Sequence, residues 1–173
     1  MTTTTNKAVE VYRYHLTPGG IFTCGNQAMI SAVLGTCVAV CLHDRRLKIG
    51  GMNHFLYPKS GFFGSPSADY GDFAIQQLIA KLTRMGSRVE DLEAQIFGGA
   101  SIPGSRDSKT GGKNVNIARK ILKKKGIKVV SEDVGGLKGR RLIFHTGTNE
   151  AIVMKTHRVR RGDYYPYRQR IAN

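Results

Sequence analysis

Between Ser31 and Pro58 the chain reads SAVLGTCVAVCLHDRRLKIGGMNHFLYP. A Gly-Thr corner leads into a cysteine and an apolar run; a charged reversal follows, then a second apolar run that carries a histidine. Cys37–Leu42 and Ile49–Leu56 are short, apolar and bounded by polar residues, the pattern of two buried strands. Asp44-Arg45-Arg46-Leu47 is the reversal between them, without the Asn-Gly signature of the tightest hairpins. If Asp44 faces Leu47, counting back along both strands sets Cys37 opposite His54. Facing side chains lie on one side of a sheet with Cβ atoms ~4.5–5.5 Å apart, close enough for a thiol and an imidazole to share a proton. A three-residue loop, or a bulge at Gly50-Gly51, would shift the register by one and separate them.

A free cysteine titrates near ~8.5, and a neighbouring imidazolium lowers that value enough to make a reactive thiolate. The competing reading is packing, because free cysteine is among the most buried residue types and serves as a small hydrophobe. Two neighbours favour chemistry. Leu34-Gly35-Thr36 places a glycine corner just before Cys37, where backbone N–H groups can be left free for an oxyanion. His54 stands in a glycine-rich apolar strand, where an imidazole without a partner is costly.

These blocks, LGTCVAVCLHD and GGMNHFLYP, are followed in order by IFGGAS, GGKNV and EDVGGLKGRRLIFHTG. Together they resemble the CheD family, chemotaxis proteins that deamidate glutamines of methyl-accepting chemoreceptors. The resemblance runs from about Val11 to Lys155, and the Cys–His block is its most specific part. It implies a protein-glutamine glutaminase with Cys37 as nucleophile and His54 as acid/base partner. Its third member is a threonine six residues before the cysteine, a position held here by Ser31. Backbone N–H groups at Thr36 and Cys37 would hold the oxyanion, and Ser31 would orient the imidazole. The candidate substrate-binding positions are Asn53, Gly98, Gly99 and Asn114; the plainer reading of Gly98-Gly99 is a sharp strand-end turn. No metal or cofactor is implied. The implied partners are chemoreceptor cytoplasmic domains and a CheC-type phosphatase, and the alternative is a non-catalytic adaptor binding either of them.

The fold class expected from the whole chain is α/β, a layered sandwich in which two main helices cover a mostly antiparallel β-sheet. Residues 1–8 read as a flexible polar lead, 9–156 as one domain, and 157–173 as a basic, tyrosine-bearing tail. Besides the hairpin, Val9–Leu16, Gly20–Thr23, Ala28–Leu34, Ala94–Phe97, Ile127–Ser131, Arg140–His145 and Ala151–Lys155 read as strands. Tyr70–Met85 carries the apolar stripe Ile75, Leu78, Ile79 and Leu82 of a helix, with Gly86 suited to its C-terminal cap. Asn114–Lys125 is the second helix, its lysines turned largely outward. Gly111-Gly112-Lys113 before it lacks the spacing of a phosphate-binding loop. Lys59–Ser67, with Phe62 and Phe63, is a long loop beside the presumed site.

Lys and Arg outnumber Asp and Glu 27 to 12, a formal charge of +15 that favours acidic partners. No helix-turn-helix, zinc-finger or RNP signature places that charge in a nucleic-acid groove. Cys24, Cys37 and Cys41 form no CxxC pair, which argues against zinc and against a disulfide framework. Cys37, Cys41 and His43 match no usual ligand spacing. On one strand Cys37 and Cys41 stand roughly 13 Å apart, too far for a disulfide. A reducing, cytoplasmic location is expected. Neither a signal peptide nor a run of ~20 apolar residues is present.

Overall fold

The computed structural model describes residues 11–157 apart from 62–63, 102 and 105–107. The polar lead, Phe62 and Phe63, and the basic tail from residue 158 lie outside the described residues. The strands are β1 (Tyr12–His15), β2 (Gly20–Cys24), β3 (Ala28–Leu34), β4 (Val38–Asp44), β5 (Ile49–Phe55), β6 (Leu92–Gly98), β7 (Lys128–Val134), β8 (Gly139–His145) and β9 (Ala151–Thr156). The helices are α1 (Gly71–Arg84) and α2 (Thr110–Lys124). The layered α/β sandwich is present, and its strands divide between two sheets. One has the order β1-β3-β8-β9 and the other β2-β5-β4-β6-β7. The β1–β3 and β6–β7 pairs are parallel and all other pairs are antiparallel.

Burial explains the sequence patterns. The seven residues of β4 and the seven of β5 are buried throughout, because the hairpin is covered on both faces. On one face Val38, Val40 and Leu42 pack with Ile75, Leu78 and Leu82 of α1 and with Ala118 and Leu122 of α2. On the other, Ala39, Cys41 and Met52 meet Ile30, Ala32, Leu34, Leu142 and Phe144 of the four-stranded sheet. The order is sheet, sheet, helices. β3 has one face on this core and one face outward, so its residues alternate between buried and half-buried.

α2 begins four residues before the expected Asn114, with Gly111 in its first turn. The glycine pair there is not a loop. A Cβ on Gly111 would collide with the carbonyl oxygen of Ala100 and stand 2.5 Å from that of Gly99. Gly111 is therefore what lets α2 lie against the chain leaving β6. That contact fixes the cysteine corner.

Candidate active site

The hairpin that carries Cys37 and His54 turns one residue further along the chain than expected. Asp44 pairs with Ile49, leaving Arg45–Lys48 as the reversal. Asp44 Oδ1 accepts the N–H groups of Arg46 and Leu47 at 2.8 Å each, and its carbonyl accepts Lys48 N–H at 2.9 Å. Lys48 takes the left-handed conformation at φ 57°. This aspartate-capped turn moves the register by two. His54 faces Ala39, and Cys37 is the residue before the first ladder pair, Val38–Phe55. A shift of two keeps every side chain on its face, so Cys37 and His54 remain on one side of the sheet as diagonal neighbours.

The corner holding Cys37 is fixed through its carbonyls. Ala100 N–H donates to the Gly35 carbonyl at 2.8 Å, and Gly99 N–H to that of Cys37 at 2.7 Å. The carbonyl between them, that of Thr36, accepts Asn114 Nδ2 at 3.1 Å. Gly98 and Gly99 have φ of 105° and 67°. A Cβ on Gly98 would strike the Cys37 carbonyl oxygen, and one on Gly99 would stand 2.5 Å from Val115. Behind them, Gly135 N–H donates to the Gly98 carbonyl at 2.9 Å. The buried Arg140 guanidinium in turn holds the Gly135 carbonyl and the Asp133 carboxylate, each at 2.8 Å.

With the carbonyls turned away, the backbone N–H groups of Gly35 and of Cys37 itself pull the thiol down. Burial is the stronger influence and pushes the thiol up to about 11 against the pull of those two donors. His54 is fully buried. Burial lowers its imidazole to about 4; a hydrogen bond to the Leu16 carbonyl opposes this, and nearby His15 adds to it. Burial thus opposes the thiolate–imidazolium pair expected from the hairpin and favours the neutral form of both groups. Nδ1 of His54 donates to the Leu16 carbonyl at 3.3 Å, and Nε2 has no hydrogen-bond partner among the described residues.

The structure does not bring Ser31 to His54. Ser31 lies on the outer face of β3, between the inward-facing Ile30 and Ala32. Its hydroxyl is bonded to His15 Nδ1 at 3.0 Å, beside a pocket of ≈ 430 Å³ lined also by Arg13, Met29 and Ile143. Its main chain does take part, because the Ser31 carbonyl accepts Leu16 N–H at 2.7 Å. The group that orients the imidazole is the Leu16 carbonyl. Nothing in the side chain of Leu16 announces that role.

Asn114 and Asn53 are fully buried. Besides Thr36, Asn114 Nδ2 reaches the Leu56 carbonyl at 2.8 Å, just beyond the histidine strand. Asn53 Oδ1 accepts Val40 N–H at 2.9 Å. Both amides are spent on backbone. Asn114 Oδ1 and Asn53 Nδ2 are left without partners among the described residues. Cys41 sits between the two sheets in an apolar cluster, where burial raises its thiol, and the small-hydrophobe reading fits it.

A thiol in a corner with its carbonyls turned away, on one sheet face with an imidazole held through Nδ1, has the parts of a thiol-based acyl-transfer centre. A family profile described as CheD chemotactic sensory transduction matches residues 58–155, more than half of the chain. The chain belongs to the CheD family. It is 43% identical over 141 residues to a protein of Anaeromyxobacter dehalogenans named probable chemoreceptor glutamine deamidase CheD 1, covering 80% of this chain and 82% of that protein. It is 41% identical over 140 residues to the probable chemoreceptor glutamine deamidase CheD of Rhodospirillum rubrum, covering 80% of this chain and 79% of that protein. It is 40% identical over 138 residues to the chemoreceptor glutamine deamidase CheD of Thermotoga maritima, covering 80% of this chain and 83% of that protein. The family profile begins after Cys37 and His54. A stretch covering 80% of the chain includes both.

Proposed function

We propose that the protein hydrolyses the side-chain amide of glutamines in chemoreceptors, with Cys37 as nucleophile and His54 as acid and base. The observation that carries this reading is that Cys37, in a corner whose carbonyls at Gly35, Thr36 and Cys37 are all hydrogen-bonded, shares a sheet face with an imidazole whose Nδ1 is engaged by a carbonyl. The relatives' names supply the substrate class.

The neutral resting pair sets the order of events. As Sγ attacks the amide carbon, its proton passes to His54 Nε2, and the carbonyl π electrons move to oxygen. The backbone N–H groups at Gly35 and Cys37 donate to that oxyanion. Collapse of the tetrahedral adduct breaks the C–N bond. His54 returns its proton to the nitrogen, so ammonia leaves and a glutamyl thioester remains. Water, deprotonated by Nε2, attacks the thioester and restores thiol and imidazole with a glutamate product. Nδ1–H stays on the Leu16 carbonyl throughout and steadies the imidazolium that forms twice. Asn114 acts at one remove, tying the Cys37 corner to the end of the His54 strand. Gly98 and Gly99 shape that corner from behind.

Incubation with a purified chemoreceptor cytoplasmic fragment, followed by peptide mass spectrometry, tests the reading. Conversion of glutamine to glutamate with stoichiometric ammonia is expected from the wild type and none from Cys37→Ala. Unchanged conversion in Cys37→Ala would refute it, and receptor binding without conversion by the wild type would favour an adaptor.

A further inference from the structure

A positively charged groove lies on the helical side of the five-stranded sheet, along the N-terminal half of α2. Pro58 and Lys59, just past the histidine strand, and Lys113, Asn116, Ile117 and Lys120 of α2 enclose a pocket of ≈ 330 Å³. Its floor is Ile117 and Pro58, and its rim is three exposed lysines. No ion pair holds any of the three among the described residues, whereas the neighbouring Arg119 is taken up by Glu132 at 2.6 Å. The first turn of α2 has no acidic residue, so the positive end of the helix dipole adds to the charge. Asn114, next to Lys113, carries the two hydrogen bonds that hold the Cys37 corner and Leu56.

We infer that this groove seats an acidic helical segment of the same substrate whose glutamine enters the site. Lys113, Ile117 and Lys120 form one stripe on α2, at i, i+4 and i+7. Seven residues of helix rise ~10.5 Å, and a second helix laid along α2 repeats that rise, so two carboxylates seven residues apart reach Lys113 and Lys120 together. Between them a small or apolar side chain meets Ile117, and Lys59 closes the open side. Desolvated backbone and carbonyl-rich surfaces would gain nothing here; carboxylates would. This inference rests on the deamidase reading for its substrate but not for its binding.

The probe is a helical peptide with one glutamine and two glutamates seven residues apart on one face. Its control has the same composition with the two glutamates on opposite faces. Affinity is measured by fluorescence anisotropy on the Cys37→Ala protein, and ammonia release on the catalytically intact protein. The matched peptide should bind at least about tenfold tighter than the control, a preference lost in Lys113→Gln/Lys120→Gln and kept in Lys123→Gln/Lys124→Gln/Lys125→Gln. Equal affinity for the two peptides, or no effect of the Lys113/Lys120 pair, overturns the groove. So does duplex DNA that binds the same lysines more tightly than the peptide. If binding follows the lysines while no ammonia appears from any glutamine substrate, the groove stands and the deamidase reading falls. If ammonia is released with KM unchanged in the Lys113/Lys120 variant, the deamidase reading stands and the groove falls.

Discussion

His54 gives its Nδ1–H to the main-chain carbonyl of Leu16 at 3.3 Å, and so presents Nε2 as a lone pair. A backbone carbonyl can only accept, so this contact selects the tautomer as well as the ring orientation. Leu16 is itself held, its N–H bonded to the Ser31 carbonyl at 2.7 Å. The four-stranded sheet thereby sets the direction of a base that stands on the other sheet. Hydroxyl chemistry at position 31 is not needed for that link.

Ser31→Ala should therefore keep kcat within about threefold of wild type, since it removes the hydroxyl's bonds to His15 Nδ1 and the Tyr14 carbonyl and no contact to His54. Steady-state ammonia release measures this. A loss of a hundredfold or more with the fold intact would return Ser31 to the role that the family pattern gives its threonine.

Cys37 should be slow, not fast, toward alkylating agents at neutral pH. Burial holds its thiol near 11, while Cys24 is half-buried. Iodoacetamide at pH 7.5 is expected to label Cys24 first, with Cys37 following only above pH 9. Cys37→Ala should nevertheless lower deamidation by about a thousandfold or more, and Cys41→Ala by little. Rapid labelling of Cys37 at pH 7 that His54→Ala abolishes would show a preformed ion pair instead.

Asn114→Ala removes both ties between the cysteine corner and Leu56. We expect kcat to fall about 10- to 100-fold with KM for a short glutamine peptide nearly unchanged, because a displaced nucleophile costs transition-state contacts rather than binding. A purely structural asparagine would lower the melting temperature and leave the kcat of the remaining folded protein as it was. Asn114→Asp should do worse, burying a carboxylate against two carbonyl oxygens.

The hairpin was legible because both apolar runs sit between two covering layers, a constraint that composition alone expresses. Its register was not. The loop length is decided by Asp44 capping Arg46 and Leu47 and by Lys48 accepting a left-handed conformation without being glycine or asparagine. The error cost little chemistry, since a slip of two preserves the face that Cys37 and His54 share. Ser31 was misplaced although its strand carries the signal: Ala28, Ile30, Ala32 and Leu34 are buried in AMISAVL, and alternation sends Ser31 the other way. That the strands form two sheets was out of reach, because it depends on β3 pairing with β8 more than a hundred residues later. Gly111-Gly112 looked like a loop for want of a partner in view. The carbonyl of Gly99, against which Gly111 packs, is what makes glycine necessary inside a helix.

Acid should weaken the fold through His54. Burial keeps this imidazole at about 4 in the folded protein, against an ordinary value of 6.5. Between those two values the unfolded chain binds the extra proton, so stability rises with pH across the window. The neutral imidazole's contribution is complete above about pH 6.5 and is lost as the pH falls toward 4. A difference of that size corresponds to about 3 kcal/mol. Urea unfolding at pH 7 and at pH 4.5 should show the wild type losing about 2 to 3 kcal/mol more than His54→Gln, which has no proton to take up. His15, whose value is also lowered by burial, is present in both proteins and largely cancels. If the two proteins lose stability in parallel, His54 is not titrating in the window, and the neutral pair proposed for the resting site is wrong.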